Sequence, residues 1–302
     1  MPAPIRPRRS ALFMPGANPR VIEKARTLDA DVVILDLEDA VAPEAKAQAR
    51  ARVAEAVRAG GFGRREVVIR TNAPDTPWFA EDLAAAAAAR PDAVLVPKLS
   101  DPETARVIGR RLEALGAPPG LALWAMIETA AAVLRAADIA AAARDPATRL
   151  ALLVLGTNDL ARETGAKVVP GRAPMLGWIG HCVLAARAAG IGILDAVWND
   201  FRDVEGFAQE CAEAAAMGFD GKSCIHPGQL APCNAAFTPP PDEVAEARAV
   251  IALFERPENA GKGVVQREGR MVERMHADIA RRTVALADAI ATPEHGSEGG
   301  PA

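Results

Sequence analysis

Apolar and β-branched residues gather into short runs at a regular interval along this 302-residue chain. The runs cover 10–16, 31–39, 66–72, 93–99, 121–129, 150–160, 192–200 and 221–227. Bounded by Gly, Pro, Asn and Asp, they predict strands. Between them, apolar positions three and four apart predict helices over about 18–28, 44–58, 78–89, 102–115, 130–143, 175–189 and 204–217. Start and stop signals agree: Asp101, Pro102 and Glu103 open one helix and Gly116 closes it, while Gly60, Gly190 and Gly218 close others.

Strict strand–helix alternation requires parallel strands. Eight units over roughly 230 residues approach the ~250 of a closed barrel, so the expected class is α/β, a (β/α)8 TIM barrel with a C-terminal helical extension. An open doubly wound sheet is the alternative. Against it, the first turn reads Pro15-Gly16-Ala17-Asn18-Pro19, without the dinucleotide-binding glycine pattern, and there is no Walker-type loop. After Phe237 the run Thr238-Pro239-Pro240-Pro241 breaks the pattern. The expected organisation is a barrel over 1–237, an extension over 238–291 and a disordered tail over 292–302. Within the extension, helices are expected at about 242–256 and 269–291, and a mobile or partner-ordered loop at 259–270.

Composition adds exclusions. Half the residues are hydrophobic, Tyr is absent and aromatics make up 4%, so the core rests on Val, Ile, Leu and Ala. A net charge of −4, without Lys/Arg clusters among aromatics, speaks against nucleic-acid binding. No run approaches the ~20 apolar residues of a membrane span, and the basic start lacks an apolar run behind it, so a cytoplasmic location is expected. Cys182, Cys211, Cys224 and Cys233 lack CxxC spacing and are expected to be reduced core thiols. The four histidines form no metal-binding pattern, so any metal is held by oxygen.

Active sites of such barrels lie at the C-terminal strand ends, and here those ends are charged. They read Asp36-Leu37-Glu38-Asp39, Arg70-Thr71-Asn72, Pro97-Lys98, Glu128-Thr129, Asn158-Asp159 and Asn199-Asp200. A lone carboxylate there reads as a cap or a solvated ion pair. Several in one mouth repel one another and lose hydration, a cost that a cation offsets. With only oxygen donors on offer, Mg²⁺ is expected, with Mn²⁺ as the alternative. Glu128 and Asp159, each following an apolar run on neighbouring strands, form the expected metal pair. Arg70 is expected to clamp a substrate carboxylate, or to sit in a buried ion pair with Glu38 or Glu128. Lys98 reads equally as a substrate or phosphate contact and as a structural ion pair.

Six segments in order carry a resemblance. Arg9-Ser10-Ala11-Leu12-Phe13-Met14-Pro15-Gly16, Asp36-Leu37-Glu38-Asp39-Ala40-Val41, Ile69-Arg70-Thr71-Asn72, Val96-Pro97-Lys98, Ile127-Glu128-Thr129 and Gly221-Lys222-Ser223-Cys224-Ile225-His226-Pro227 closely resemble the citrate lyase β-subunit-like acyl-CoA lyases of the HpcH/HpaI aldolase/citrate lyase family. The resemblance covers about 8–285. It implies Mg²⁺-dependent cleavage or formation of a carbon–carbon bond in β-hydroxyacyl-CoA thioesters of malyl, citramalyl or citryl type, giving an acyl-CoA and a keto acid. It places the metal on Glu128 and Asp159 and substrate on Arg70, with Thr129 and Lys98 as further contacts, and sets Glu38 and Asp39 beside the metal waters. It implies CoA contacts at Arg20 and Lys24 and near His226, and a homo-oligomer, a trimer or a multiple of one. His226 also reads as a residue that orders a strand-end turn.

Two departures stand out. Asn158 occupies a position that is often acidic in the family. In the extension, Gly269-Arg270-Met271-Val272-Glu273 puts Glu273 where the lyases typically carry an Asp, often supplied to a neighbouring subunit's site for proton transfer. Glu273 then reads as that acid/base group or as a solvated helix residue. Metal-dependent aldolases of free hydroxy-keto acids usually carry a His after strand two, absent from Asp36-Leu37-Glu38-Asp39. An acyl-CoA thioesterase and a non-catalytic subunit of a lyase complex are the remaining alternatives.

Overall fold

The computed structural model describes residues 5–267 and 269–292. The chain divides into two compact units, one formed by Arg8–Phe237 and the other by the chain from Thr238 onward with the segment before Arg8. In the first unit, eight parallel strands close on themselves: β1 (Ser10–Pro15), β2 (Val32–Asp36), β3 (Glu66–Arg70), β4 (Ala93–Val96), β5 (Ala122–Ile127), β6 (Leu150–Leu155), β7 (Gly192–Asp195) and β8 (Gly221–Cys224). Pairing of β1 with β8, Ser10 opposite Lys222, rules out the open sheet. The helices are α1 (Pro19–Ala25), α2 (Lys46–Ala59), α3 (Phe79–Ala89), α4 (Pro102–Ala114), α5 (Ala130–Leu134), α6 (Ala136–Ala141), α7 (Thr157–Thr164), α8 (Leu176–Ala189), α9 (Val204–Met217) and α10 (Leu230–Ala236).

Three expectations change in this unit. The helix of 130–143 is split at Arg135, whose backbone leaves the helical region. The strand of 192–200 ends at Asp195, because Asn199 and Asp200 fold into turns closed by amides of Phe201 and Asp203. The stretch of 150–160 divides between β6 and α7, which was not foreseen.

Alternating side chains make two apolar layers. Val32, Ile34, Val68, Leu95, Trp124, Met126, Leu152, Val154 and Leu194 fill the barrel. Their neighbours, such as Val33, Leu35, Ile69 and Ile127, meet the helices in a second cluster. At the N-terminal end, Arg8 donates from Nε to Glu66 at 2.5 Å and lies 5.3 Å from the Trp124 ring, closing that end with a paired charge. The other end of the interior is left to polar side chains. The four cysteines are buried and unbridged.

In the second unit, α11 (Pro241–Glu255) packs on α12 (Arg274–Ala291) through Ala247, Val250, Phe254, Ala277 and Ala280. The loop expected at 259–270 is in fact part of a hairpin, β9 (Val264–Arg267) and β10 (Arg270–Glu273). Gly269 takes φ +76° in its turn, and the β-branched Val264, Val265 and Val272 suit strands. The helix expected from 269 therefore starts at Arg274. The tail expected to be disordered lies, beyond residue 292, outside the described residues.

Candidate active site

Strand parity puts three of the charged residues inside the barrel mouth. Ile34, Val68 and Met126 point into the interior, so Asp36, Arg70 and Glu128, two residues further on, point the same way one layer higher. They line a cavity of about 370 Å³ together with Asp39, Asn158 and Asp159.

Arg70 is held by Asp36, its register partner across β2 and β3. Nε and Nη2 donate to the two Asp36 oxygens, both at 2.7 Å. Nη1 lies 2.7 Å from Glu38 Oε2 and 3.5 Å from Asp39 Oδ2, and the guanidinium covers the Phe13 ring at 5.0 Å. Burial alone would lower the Arg70 pKa, but Asp36 first, then Glu38 and Asp39, raise it, so the group is a permanent cation. The buried-pair alternative thus holds here with Asp36 and Glu38 as partners, not Glu128. Glu38 Oε2 receives no directed hydrogen bond; Arg70 Nη1 donates instead to Asp39 Oδ2 at 3.5 Å and Met126 Sδ at 3.9 Å, long bonds that a substrate carboxylate can displace.

Glu128 is 2% exposed. Its Oε1 accepts the backbone N–H of Lys98 at 2.8 Å. Gly156 lies behind it: a Cβ there would stand 2.5 Å from Glu128 Cβ and 2.7 Å from Oε2. Burial, then Glu38 and Asp159, push the Glu128 carboxyl up to about 7. Asp159 sits in the first turn of α7, and its Oδ1 accepts from Arg162. Among the described residues no three His, Cys, Asp or Glu side chains form a metal cluster. The pair fits a hard divalent ion nonetheless, because such ions complete their shell with water and substrate oxygens. A buried carboxylate crowded by two others is relieved by positive charge.

The remaining predicted residues are placed as follows. Lys98 donates from Nζ to Glu38 Oε1 at 2.7 Å, the ion-pair alternative. Glu38 is turned between Lys98 and Arg70, and burial raises its pKa despite both cations. Asp39 is largely exposed at the cavity edge. Thr129 caps α5 by accepting from Ala132 N at 3.0 Å, and its hydroxyl meets Ser100 at 2.9 Å. Arg20 and Lys24 are exposed on α1. His226 orders the turn after β8, Nδ1 accepting from Gly228 N at 3.0 Å, and stacks on Phe201 at 4.9 Å. Asn158 and Asn199 exchange amide hydrogen bonds of 3.0 and 2.8 Å across the mouth. In the second unit, Glu273 is the N-cap of α12, in a reciprocal box with His276.

Sequence reasoning gave no role to Asp36, although an Asp and an Arg ending adjacent predicted strands were a usable signal. It also missed a buried cluster outside the barrel. Lys222 Nζ meets Asp195 at 2.8 Å and Glu210 at 2.6 Å, and Arg172 Nη1 meets Asp195 at 2.7 Å. This network ties β7 and β8 to α9 and the turn before α8, a structural use of the lysine in the Gly221-Lys222 segment.

Fold and mouth together define a class, the (β/α)8-barrel enzymes that work from charged strand ends. Comparison with known proteins gives the family: residues 9–227 match the model of HpcH/HpaI aldolase/citrate lyase, and the chain belongs to that family of CoA-ester and oxo-acid lyases. A (3S)-malyl-CoA thioesterase of Cereibacter sphaeroides is 46% identical over 286 residues, covering 94% of this chain and 96% of that one. An L-malyl-CoA/β-methylmalyl-CoA lyase of the same species is 35% identical, covering 90% and 92%. The structure of CitE from Mycobacterium tuberculosis in complex with magnesium, acetoacetate and coenzyme A superposes with a TM-score of 0.74 at 32% identity, covering 95% and 100%.

Proposed function

We propose that this chain is a divalent-metal-dependent carbon–carbon lyase of malyl-type CoA thioesters, which carry a β-hydroxyl and a free carboxylate. The observation that carries this reading is the meeting of Glu128, Asp159 and Arg70 in one cavity. Glu128 and Asp159 would hold the ion, Mg²⁺ or Mn²⁺, which when bound acts as a Lewis acid toward substrate oxygens. Arg70, fixed along one edge by Asp36, offers Nη1 to the free carboxylate and so orients the bond to be broken. In cleavage, a carboxylate at the mouth, Asp39 or Glu38, takes the hydroxyl proton. The carbon–carbon electron pair moves onto the α-carbon as the thioester enolate, and a keto acid leaves. The enolate then takes a proton, assigned to Glu273 of a neighbouring copy in an oligomer of three or a multiple, and acyl-CoA is released. Arg20 and Lys24 are assigned to the CoA phosphates.

A second reading, hydrolysis of the same thioester, is favoured by the 46% identity to a malyl-CoA thioesterase. Water then attacks the thioester carbonyl, and free CoA and a hydroxy acid leave. Incubation with Mg²⁺ and malyl-, citramalyl- and citryl-CoA, following keto acid and free CoA separately, decides. Keto acid without CoA supports the lyase, and CoA without keto acid supports hydrolysis. Full activity of both Glu128→Ala and Asp159→Ala would sink either reading. Sedimentation of the purified chain as a monomer would remove the neighbouring-copy role of Glu273.

A further inference from the structure

Lys98 stands at φ +53°, in the left-handed region that side-chain-bearing residues avoid. Three other non-glycine residues among those described do the same. Arg90 and Arg149 end helical turns, and Arg172 lies in the turn Pro170–Arg172. Lys98 ends no helix. It lies between β4 and α4, and this conformation directs its two donors to different carboxylates: the backbone N–H to Glu128 Oε1 at 2.8 Å and Nζ to Glu38 Oε1 at 2.7 Å. The amide bond is the hydrogen bond that the Glu128 carboxylate receives. Gly156, lacking a Cβ, leaves the room that Glu128 Cβ and Oε2 occupy, so the directed contact that orients the carboxylate is the one on Oε1. A glycine at 98 would reach the same φ without strain. What the lysine adds is the second arm, to Glu38, which in turn faces Arg70 Nη1 at 2.7 Å.

We propose that Lys98 is a positioning residue for the metal carboxylate: its left-handed backbone aims its amide at Glu128, while its ammonium ties the same turn to Glu38 and hence to Arg70. This rests on the metal reading above. Strained backbone at a ligand site is a known way of pre-setting geometry, and groups that orient metal ligands are typically worth about 10- to 100-fold in affinity.

The test compares Lys98→Gly with Lys98→Val in the full chain. Both lose the ammonium, so their charge is matched and the backbone alone differs. Valine, β-branched, is driven out of the left-handed region, whereas glycine stays. Binding of Mn²⁺ alone is followed by electron paramagnetic resonance of the free ion. Lys98→Gly is expected to hold Mn²⁺ within a few-fold of the parent, the lost tie to Glu38 being offset by one positive charge fewer near the ion, and Lys98→Val about tenfold more weakly than Lys98→Gly. Equal affinities in the two variants overturn the proposal and leave the metal reading standing. Unchanged Mn²⁺ binding in Glu128→Ala overturns both. Should Lys98→Val fail to fold, thermal melting of Lys98→Gly and Lys98→Ala serves: glycine is expected to melt higher, and alanine melting as high or higher refutes the strained backbone.

Discussion

Gly156→Ala isolates the contact on which the proposed metal site depends. Gly156 lies at φ −123° and ψ 80°, on the side of the map open to alanine, so the substitution costs little through the backbone. The new Cβ would stand 2.5 Å from Glu128 Cβ and 2.7 Å from Oε2. Carbon atoms pack best about 3.5–4.0 Å apart, so roughly 1 Å must be found between β5 and the turn after β6. Overpacking of this kind costs about 1–3 kcal/mol, a fall in Tm of about 2–4 °C per kcal/mol for a unit of this size. A ligand displaced by about 1 Å can cost on the order of 100-fold in rate.

The measurements are Tm in metal-free buffer, Mn²⁺ affinity, and kcat/KM with malyl-CoA. All three are expected to fall together. A double-mutant cycle with Glu128→Gly, which removes the struck Cβ, is expected to recover the stability loss of Gly156→Ala. Wild-type Mn²⁺ affinity in Gly156→Ala, or additive stability losses in the cycle, would refute the close packing of Glu128 on Gly156.

Asp36→Asn leaves Arg70 with Glu38 and Asp39 but removes the two-bonded grip. We expect a loss of about 1–3 kcal/mol in stability and a rise in KM for the carboxylate substrate that exceeds any fall in kcat, read by steady-state kinetics. For pH, burial and the neighbouring carboxylates raise Glu128 to about 7 in the metal-free protein. The folded state therefore binds a proton that the unfolded state has shed, and metal-free stability is expected to fall as pH rises from about 4.5 to 7. A cation held at the proposed site must displace the same proton, so Mn²⁺ affinity is expected to drop up to tenfold per unit below pH 7, and a flat titration from pH 5 to 7 would contradict this. Glu273→Gln is expected to cut turnover by about 100-fold or more if that group moves a proton, with Mn²⁺ affinity unchanged. Loss of helix stability without loss of rate would leave it only the cap of α12.

The barrel was legible because one signal, apolar runs alternating with helical periodicity, repeats eight times and survives errors in single elements. Glu128 was placed for a related reason, since a carboxylate directly after an apolar run stands at a strand end; Asp159 was expected at a strand end too but lies four residues beyond Leu155, in the first turn of α7. What failed was orientation within the mouth. Glu38 and Asp39 are adjacent in sequence, yet one is buried between Lys98 and Arg70 and the other lies largely exposed. That difference is set by the turn after β2, where Asp36 accepts the amides of Glu38 and Ala40 at 2.8 and 3.2 Å. Thr129, expected as a substrate contact, has its hydroxyl engaged in capping α5, which the sequence did not signal. The hairpin of β9 and β10 was lost for want of a hydrophobic run: its strands mix Val with Gln, Arg and Glu, and a short two-stranded ribbon leaves little apolar signature.

Under the proposed function, charge at the mouth sets the order in which ligands enter. Asp36, Glu38, Asp39, Glu128 and Asp159 contribute five carboxylates, and Arg70, Lys98, Arg162 and the buried Lys46, whose charge acts on Asp36, Glu38 and Asp39, answer with four cations. One negative charge is left in excess when Glu128 is ionised, less than the charge of one divalent ion. Without that ion, a substrate bearing its own carboxylate meets net repulsion in a partly desolvated cavity, where charges are screened less than in water. The Nη1 arm of Arg70 does not reverse this, because the guanidinium charge is already answered by Asp36 and Glu38. With the ion bound the balance turns positive, and the Arg70 contact becomes net attractive. Metal should therefore bind first and substrate second, for cleavage and hydrolysis alike. Substrate binding is expected to weaken at least tenfold in metal-free protein, while Mn²⁺ binding alone persists. Equal affinity of a malyl-CoA analogue for metal-free and Mn²⁺-loaded protein, measured by calorimetry, would show that the mouth's carboxylates do not govern entry.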